Sequence, residues 1–194
     1  MKKVASALAE SVVARIAAKA AATLLMLASS ALAQSGTGLT GQYYDTSTFT
    51  TLVTTRTDAT VNFDWGTAIP AGTAITNADT FSVVWTGQIE AEFSEPYVFY
   101  LTADDSATLW VNDQAVCHRA FPQAGNPVVT GQIKLEAGKK GNLRLEYVEQ
   151  TGSAWAKLEW ASASRPREIV PSTRLYPSRV AKAGGSLLKE NWLG

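Results

Sequence analysis

From Gly38 onward, apolar and polar positions alternate in short runs broken by Gly, Pro, Asn and Asp, and no stretch sustains a helical period. The pattern predicts strands at 39–44, 61–65, 81–89, 97–103, 107–111, 115–117, 128–135, 143–149 and 155–160. In FSVVWTGQI, residues Phe81, Val83, Trp85 and Ile89 fall on one face and Ser82, Thr86 and Gln88 mostly on the other, which marks a half-buried strand. Asn112-Asp113 supplies tight-turn chemistry, and Glu136 to Gly141 a longer Gly-containing loop; both read as hairpin connections. Nine short strands at this spacing predict an all-β fold, a two-sheet antiparallel β-sandwich or partly closed barrel. Residues 165–178, with Pro166, Pro171 and Pro177, read as a closing edge or exit and not as a central strand.

The residues before Gly38 carry a different pattern. Lys2, Lys3, Arg15 and Lys19 precede an Ala/Leu-rich run ending in Ala31-Leu32-Ala33, the layout of an export signal with a small-residue cleavage site. The apolar run, 20–32, is short for a spanning helix, which needs roughly 20 apolar residues. Residues 1–33 are therefore expected to be a signal peptide, 34–178 the β-sandwich domain, and 179–194 a Gly-Gly linker and the start of a further module. That reading places the mature protein outside the cell or on its surface, with no membrane insertion after cleavage.

Charge and composition narrow the function. Loss of residues 1–33 takes the 17 basic residues to 13 and the 17 acidic ones to 16, a net charge near −3. Lys and Arg are scattered, so no basic face for nucleic acid is expected. The lone Cys117 excludes an intrachain disulfide and reads as a small buried apolar residue. His118, the only histidine, reads as an exposed loop residue. No nucleophile elbow, zinc-protease pair or phosphate-binding loop is present, and the chain is read as non-catalytic.

One stretch resists the alternating pattern. In LTADDSATLWVND, residues 101–113, Asp104 and Asp105 are adjacent, and a regular strand would point them to opposite faces. They converge only where the pleat breaks, which a solvated Asp-Ser turn would achieve and a shared cation would exploit.

GLTGQYYD (38–45), RTDATVNFDWG (56–66), FSVVWTGQIEA (81–91), YVFYLTADDSATLWVND (97–113), LRLEYVEQTGSAWAKLEW (143–160) and IVPSTRLYP (169–177) occur in an order and spacing that resemble the PA-fourteen domain. This β-sandwich family is named after the anthrax protective antigen and is found in adhesins, glycosidases and exported bacterial proteins. The resemblance runs from about Gly38 to Pro177. It implies that Asp104 and Asp105, joined by a cis peptide bond, hold a calcium ion that coordinates sugar hydroxyls. Calcium takes roughly 6 to 8 oxygens, so a second loop must contribute. The resemblance assigns this role to Glu149–Trp155, with Glu149 or Gln150 giving a side-chain oxygen and Ser153 or Trp155 a backbone carbonyl. Yeast sugar-binding members carry an asparagine in this loop, where this chain has Glu149-Gln150. Trp155 is placed to stack on a sugar ring, although packing in the core or covering it is the commoner role for such a residue and the favoured one here, and Trp65, Trp85, Trp110 and Trp160 are expected in the core. The function implied is an exported, calcium-dependent, lectin-like module of a larger secreted or cell-surface protein involved in adhesion. The alternative is a calcium-stabilised structural or targeting spacer of an exported enzyme, without a sugar ligand.

Overall fold

The computed structural model describes residues 35–121 and 127–178. Among the described residues, twelve strands form two antiparallel sheets. The larger sheet has the order β2-β1-β4-β9-β6-β7, from β1 (Leu39–Tyr44), β2 (Leu52–Asp58), β4 (Ser82–Glu90), β6 (Ser106–Val111), β7 (Gln114–Arg119) and β9 (Lys140–Val148), and β12 (Leu175–Pro177) also pairs with β4. The smaller has the order β11-β10-β5-β8, from β5 (Pro96–Asp104), β8 (Val128–Lys134), β10 (Ala154–Ser162) and β11 (Arg165–Ile169), with β3 (Asn62–Gly66) also on β10. The only helical turn among the described residues is a short 3-10 segment, Ser172–Arg174. The barrel alternative is not realised, because the two sheets stay open and face each other. The export segment 1–33 and the linker with its further module at 179–194 lie outside the described residues.

The expected alternation holds along β5, β6 and β9, whereas β4 begins buried on both faces, Ser82 and Val84 included. Phe81, just before β4, and Val83, Trp85 and Ile89 within it are buried, as are Tyr97, Phe99, Leu101 and Ala103 along β5 and Leu143, Leu145 and Tyr147 along β9. These faces meet in one core, where burying each large apolar side chain contributes about 1.5–3 kcal/mol. Trp85 and Trp160 are fully buried and Trp65 packs at the edge of the core. Trp110 departs from expectation. It lies on the outward parity of β6, half-buried, with the Arg144 guanidinium 5.9 Å from its ring. Cys117 is buried and free, and burial pushes its thiol up to about 11. His118 is exposed but lies within β7, where it hydrogen-bonds Thr108 at 2.9 Å.

Two connections differ in kind. Asn112-Asp113, both at positive φ, closes the β6–β7 hairpin as expected. Glu136 to Gly141, expected to close a hairpin, instead carries the chain from β8 in the smaller sheet to β9 in the larger one. Each flanking strand has its partners elsewhere, β8 on β5 and β9 between β4 and β6, so no hairpin can form. Gly131 marks how closely the sheets approach at this edge, since a Cβ there would lie 1.7 Å from the Val116 carbonyl oxygen.

Candidate functional site

The strand registers place three sheet-crossing connections at one end of the sandwich. Ser82 and Ser106, the first residues of β4 and β6, both face Val148, the last of β9. In the other sheet, Trp155 near the start of β10 faces Asp104 at the end of β5 and Asp64 near the end of β3. The links β3–β4 (67–81), β5–β6 and β9–β10 (149–153) therefore converge. Asp105 is the whole of the β5–β6 link. The chain changes sheet at this residue, which is the break in the pleat that the adjacent carboxylates required. The Asp104–Asp105 peptide bond is cis.

The acidic side chains at this end have distinct partners. Asp105 is buried, and its Oδ2 accepts hydrogen bonds from the Gln150 and Thr151 amides at 2.8 and 3.1 Å. This single carboxylate ties the β5–β6 corner to the β9–β10 loop. Asp104 is half-buried; burial and the facing Asp105 carboxylate raise its pKa, with Arg119 opposing. Tyr147 lies beneath them. Its hydroxyl donates to the Asp104 carbonyl oxygen and lies 2.7 Å from Glu149 Oε2. A phenol has one hydrogen, so if the carbonyl takes it, the second contact needs a proton on Glu149.

Glu149 continues the inward parity of Leu143, Leu145 and Tyr147 and is fully buried. Its Oε1 is buried with no hydrogen-bond partner. Burial first, then the charges of Asp105, Asp104 and Asp79, push its carboxyl up to about 7 despite the Tyr147 hydrogen bond. A buried carboxylate oxygen without a partner costs stability unless a proton or a cation neutralises it.

The sequence-predicted residues are thus largely gathered. Asp104, Asp105, Glu149 and Gln150 meet through the contacts above, and Trp155 is the direct cross-strand partner of Asp104. Trp155 is half-buried on the outward parity of β10 and not in the core, with Ala154 and Ala156 buried on either side. Two participants escape a reading of sequence alone. Tyr147 reads as an ordinary core position by its parity, and Asp79 reads as turn chemistry within TNADT. The detectable signal is Glu149 itself, a carboxylate that continues the inward parity of β9 just past its end.

These carboxylates fit a hard cation in their chemistry, since they are oxygen donors held together at the expense of mutual repulsion. Among the described residues, no three His, Cys, Asp or Glu side chains are arranged to hold a metal ion by themselves. A complete shell would draw on the Gln150 side-chain amide oxygen and on backbone oxygens as well.

Two antiparallel sheets with crossing loops that gather acids at one end define a β-sandwich with a loop-borne candidate site. The PA14 domain family matches residues 35–174, and the chain belongs to that family. It is 41% identical over 143 residues to the anti-sigma-I factor RsgI3 of Acetivibrio thermocellus, covering 74% of this chain and 22% of that protein. The chain thus corresponds to about a fifth of that relative. An anti-sigma factor domain-containing protein from Clostridium clariflavum has a similar structure, with a TM-score of 0.70 at 40% identity over 77% of this chain and 50% of that one. The A domain of epithelial adhesin 6 from Candida glabrata, solved in complex with Galb1-3GlcNAc, shares the fold with a TM-score of 0.63 at 12% identity, covering 78% and 92% of the two chains.

Proposed function

We propose that this chain is an exported, non-catalytic PA14 module that binds calcium at the acidic end of the sandwich and presents it to a carbohydrate. The observation that carries this reading is Glu149 Oε1, buried and unpartnered beside the convergent Asp104 and Asp105 carboxylates. Asp104 and Asp105 would hold the ion together with Glu149 or Gln150 and a backbone carbonyl of Ser153 or Trp155. Bound calcium would supply a Lewis-acidic centre to which vicinal sugar hydroxyls coordinate. Asp105 keeps the second loop in place through the Gln150 and Thr151 amides. Tyr147 fixes the Asp104 carbonyl. Trp155, beside Asp104 and only half-buried, offers an apolar face for a sugar ring.

The adhesin domain in complex with a disaccharide supports the carbohydrate class, and its fold likeness alone does not select a sugar. Among the described residues, no helix is long and apolar enough to cross a membrane. The 41% identity with part of an anti-sigma factor favours a second reading, in which the same module is the ligand-responsive part of a larger regulatory protein.

A glycan array read with calcium and with chelator tests the proposal. Glycan signal that chelator abolishes is the expected result. Calcium-dependent stabilisation with no glycan signal would reduce the module to a spacer, and the absence of any calcium response would overturn the site.

A further inference from the structure

Four successive amides of the β9–β10 connection are all directed at other loops. Those of Gln150 and Thr151 go to Asp105, as above. The Glu149 amide donates to the Phe81 carbonyl at 2.9 Å, and the Gly152 amide donates to Asp79 Oδ1 at 3.0 Å. Asp79 and Phe81 belong to the end of the β3–β4 connection, so this third loop grips the second at two points. Its own shape is fixed locally. The Asp79 amide donates to Asn77 Oδ1 at 3.1 Å, Asn77 Nδ2 donates to Thr80 Oγ1 at 3.3 Å, and Thr80 takes a positive φ of 69°. Gly152, held by Asp79, has a φ of 100°, a conformation that leaves its amide free to turn toward a neighbouring loop.

We propose that Asp79 is a positioning residue of the binding site: its carboxylate holds the Gly152 amide and thereby sets the 150–153 backbone, whose oxygens would contribute to the ion's shell. This inference rests on the cation-binding reading above. The two hydrogen-bonded grips, from Asp105 on one side and Asp79 on the other, arrest the loop before any ligand arrives, and a pre-arranged loop loses less conformational freedom on binding. The half-buried Asp79 carboxylate also faces Glu149, whose charge it disfavours. Its effect on the ion is therefore separable into an acceptor, which orients the loop, and a charge.

Hydrogen exchange on the full chain in the absence of metal tests the orientation directly. In Asp79→Ala the amides of 150–152 should exchange about tenfold faster, the loss of roughly one hydrogen bond, while β4 stays protected. Asp79→Asn keeps the Oδ1 acceptor and should leave this exchange within about threefold of the parent. In calcium titrations Asp79→Ala should bind about tenfold more weakly and Asp79→Asn nearly as the parent does. Unchanged loop exchange in Asp79→Ala overturns the proposal, as does an Asn variant that loses as much as the Ala variant, because the charge and not the acceptor would then matter. If the parent chain itself fails to bind calcium, the functional reading fails separately, and the metal-free exchange still decides whether Asp79 sets the loop.

Discussion

At the end of the sandwich where β4 finishes and β5 begins, acidic side chains are matched by arginines. Arg165 bridges Glu92 and Glu168, Arg174 reaches Glu92 at 3.2 Å and Glu90 at 3.7 Å, and the Ser164 amide and hydroxyl cap Glu95. At the opposite end, Asp79, Asp104, Asp105 and Glu149 face one another, with backbone amides and the Tyr147 hydroxyl as their principal hydrogen-bond donors. The Arg165 hydrogen bond, aided by the charges of Arg165 and Arg174, lowers the pKa of Glu92 at the first end, whereas burial and like charge raise those of Asp104 and Glu149 at the second. The first arrangement closes a fold by pinning the exit segment to β4. The second leaves like charges facing one another, with Arg119 opposing at Asp104, and this is the arrangement to which the proposed cation would bind.

This contrast is sharpened most by Asp105→Ala. It removes a candidate ligand and the acceptor for two loop amides, so calcium affinity should fall about a thousandfold, or ~4 kcal/mol, in calorimetric titration. Binding equal to the parent's would place the ion elsewhere or nowhere.

Next in size is the dependence of metal-free stability on pH. The Glu149 carboxyl, raised from its ordinary 4.5 to about 7, keeps a proton in the folded protein that the unfolded chain has already lost. Stability should therefore fall as pH rises across that window, by no more than about 3 kcal/mol. Denaturant titrations in chelator between pH 4.5 and 8 read this, and stability that climbs across the window would contradict the assignment. Glu149→Gln should flatten the dependence and should weaken calcium binding less than Asp105→Ala does, because the amide keeps an oxygen but loses the charge.

Tyr147→Phe keeps the ring in the core and deletes the hydroxyl under Asp104. It should weaken calcium binding about fivefold, near 1 kcal/mol, with the fold intact by circular dichroism. The smallest effect belongs to the other end, where Arg165→Ala should lower the melting temperature by less than about 4 °C and leave calcium affinity unchanged. Loss of affinity there would dissolve the distinction between the two ends.

What the sequence revealed and concealed follows the same physics. Strands whose inward positions are apolar were legible from alternation, as in β5 and β9. β2 was not. Its positions Arg56 and Asp58 lie on the same face as Leu39, Gly41 and Tyr43 of β1, and there they build a buried polar network in place of an apolar stripe. Asp58 accepts from Tyr43 and Arg56 at 2.7 Å and from Trp85 Nε1 at 2.8 Å. β11 was read only as an edge because Pro166 lies within it, and an edge strand is what it proves to be. The Asp104-Asp105 pair announced itself by breaking the pleat, and family resemblance supplied its partner loop. The contributions of Tyr147 and Asp79 depend on which sheet each strand joins, and local pattern does not carry that information.

The central claim is that the β5–β6 corner and the β9–β10 loop share one ion, although they are far apart in the chain. A crystal structure of the protein grown with calcium tests it most directly. One ion should be bound by the Asp104 and Asp105 carboxylates and by at least one oxygen from 149–155, with roughly 6 to 8 oxygens at about 2.3–2.6 Å. An empty site at saturating calcium, or an ion held by the aspartates with no atom of 149–155 in its shell, would contradict it.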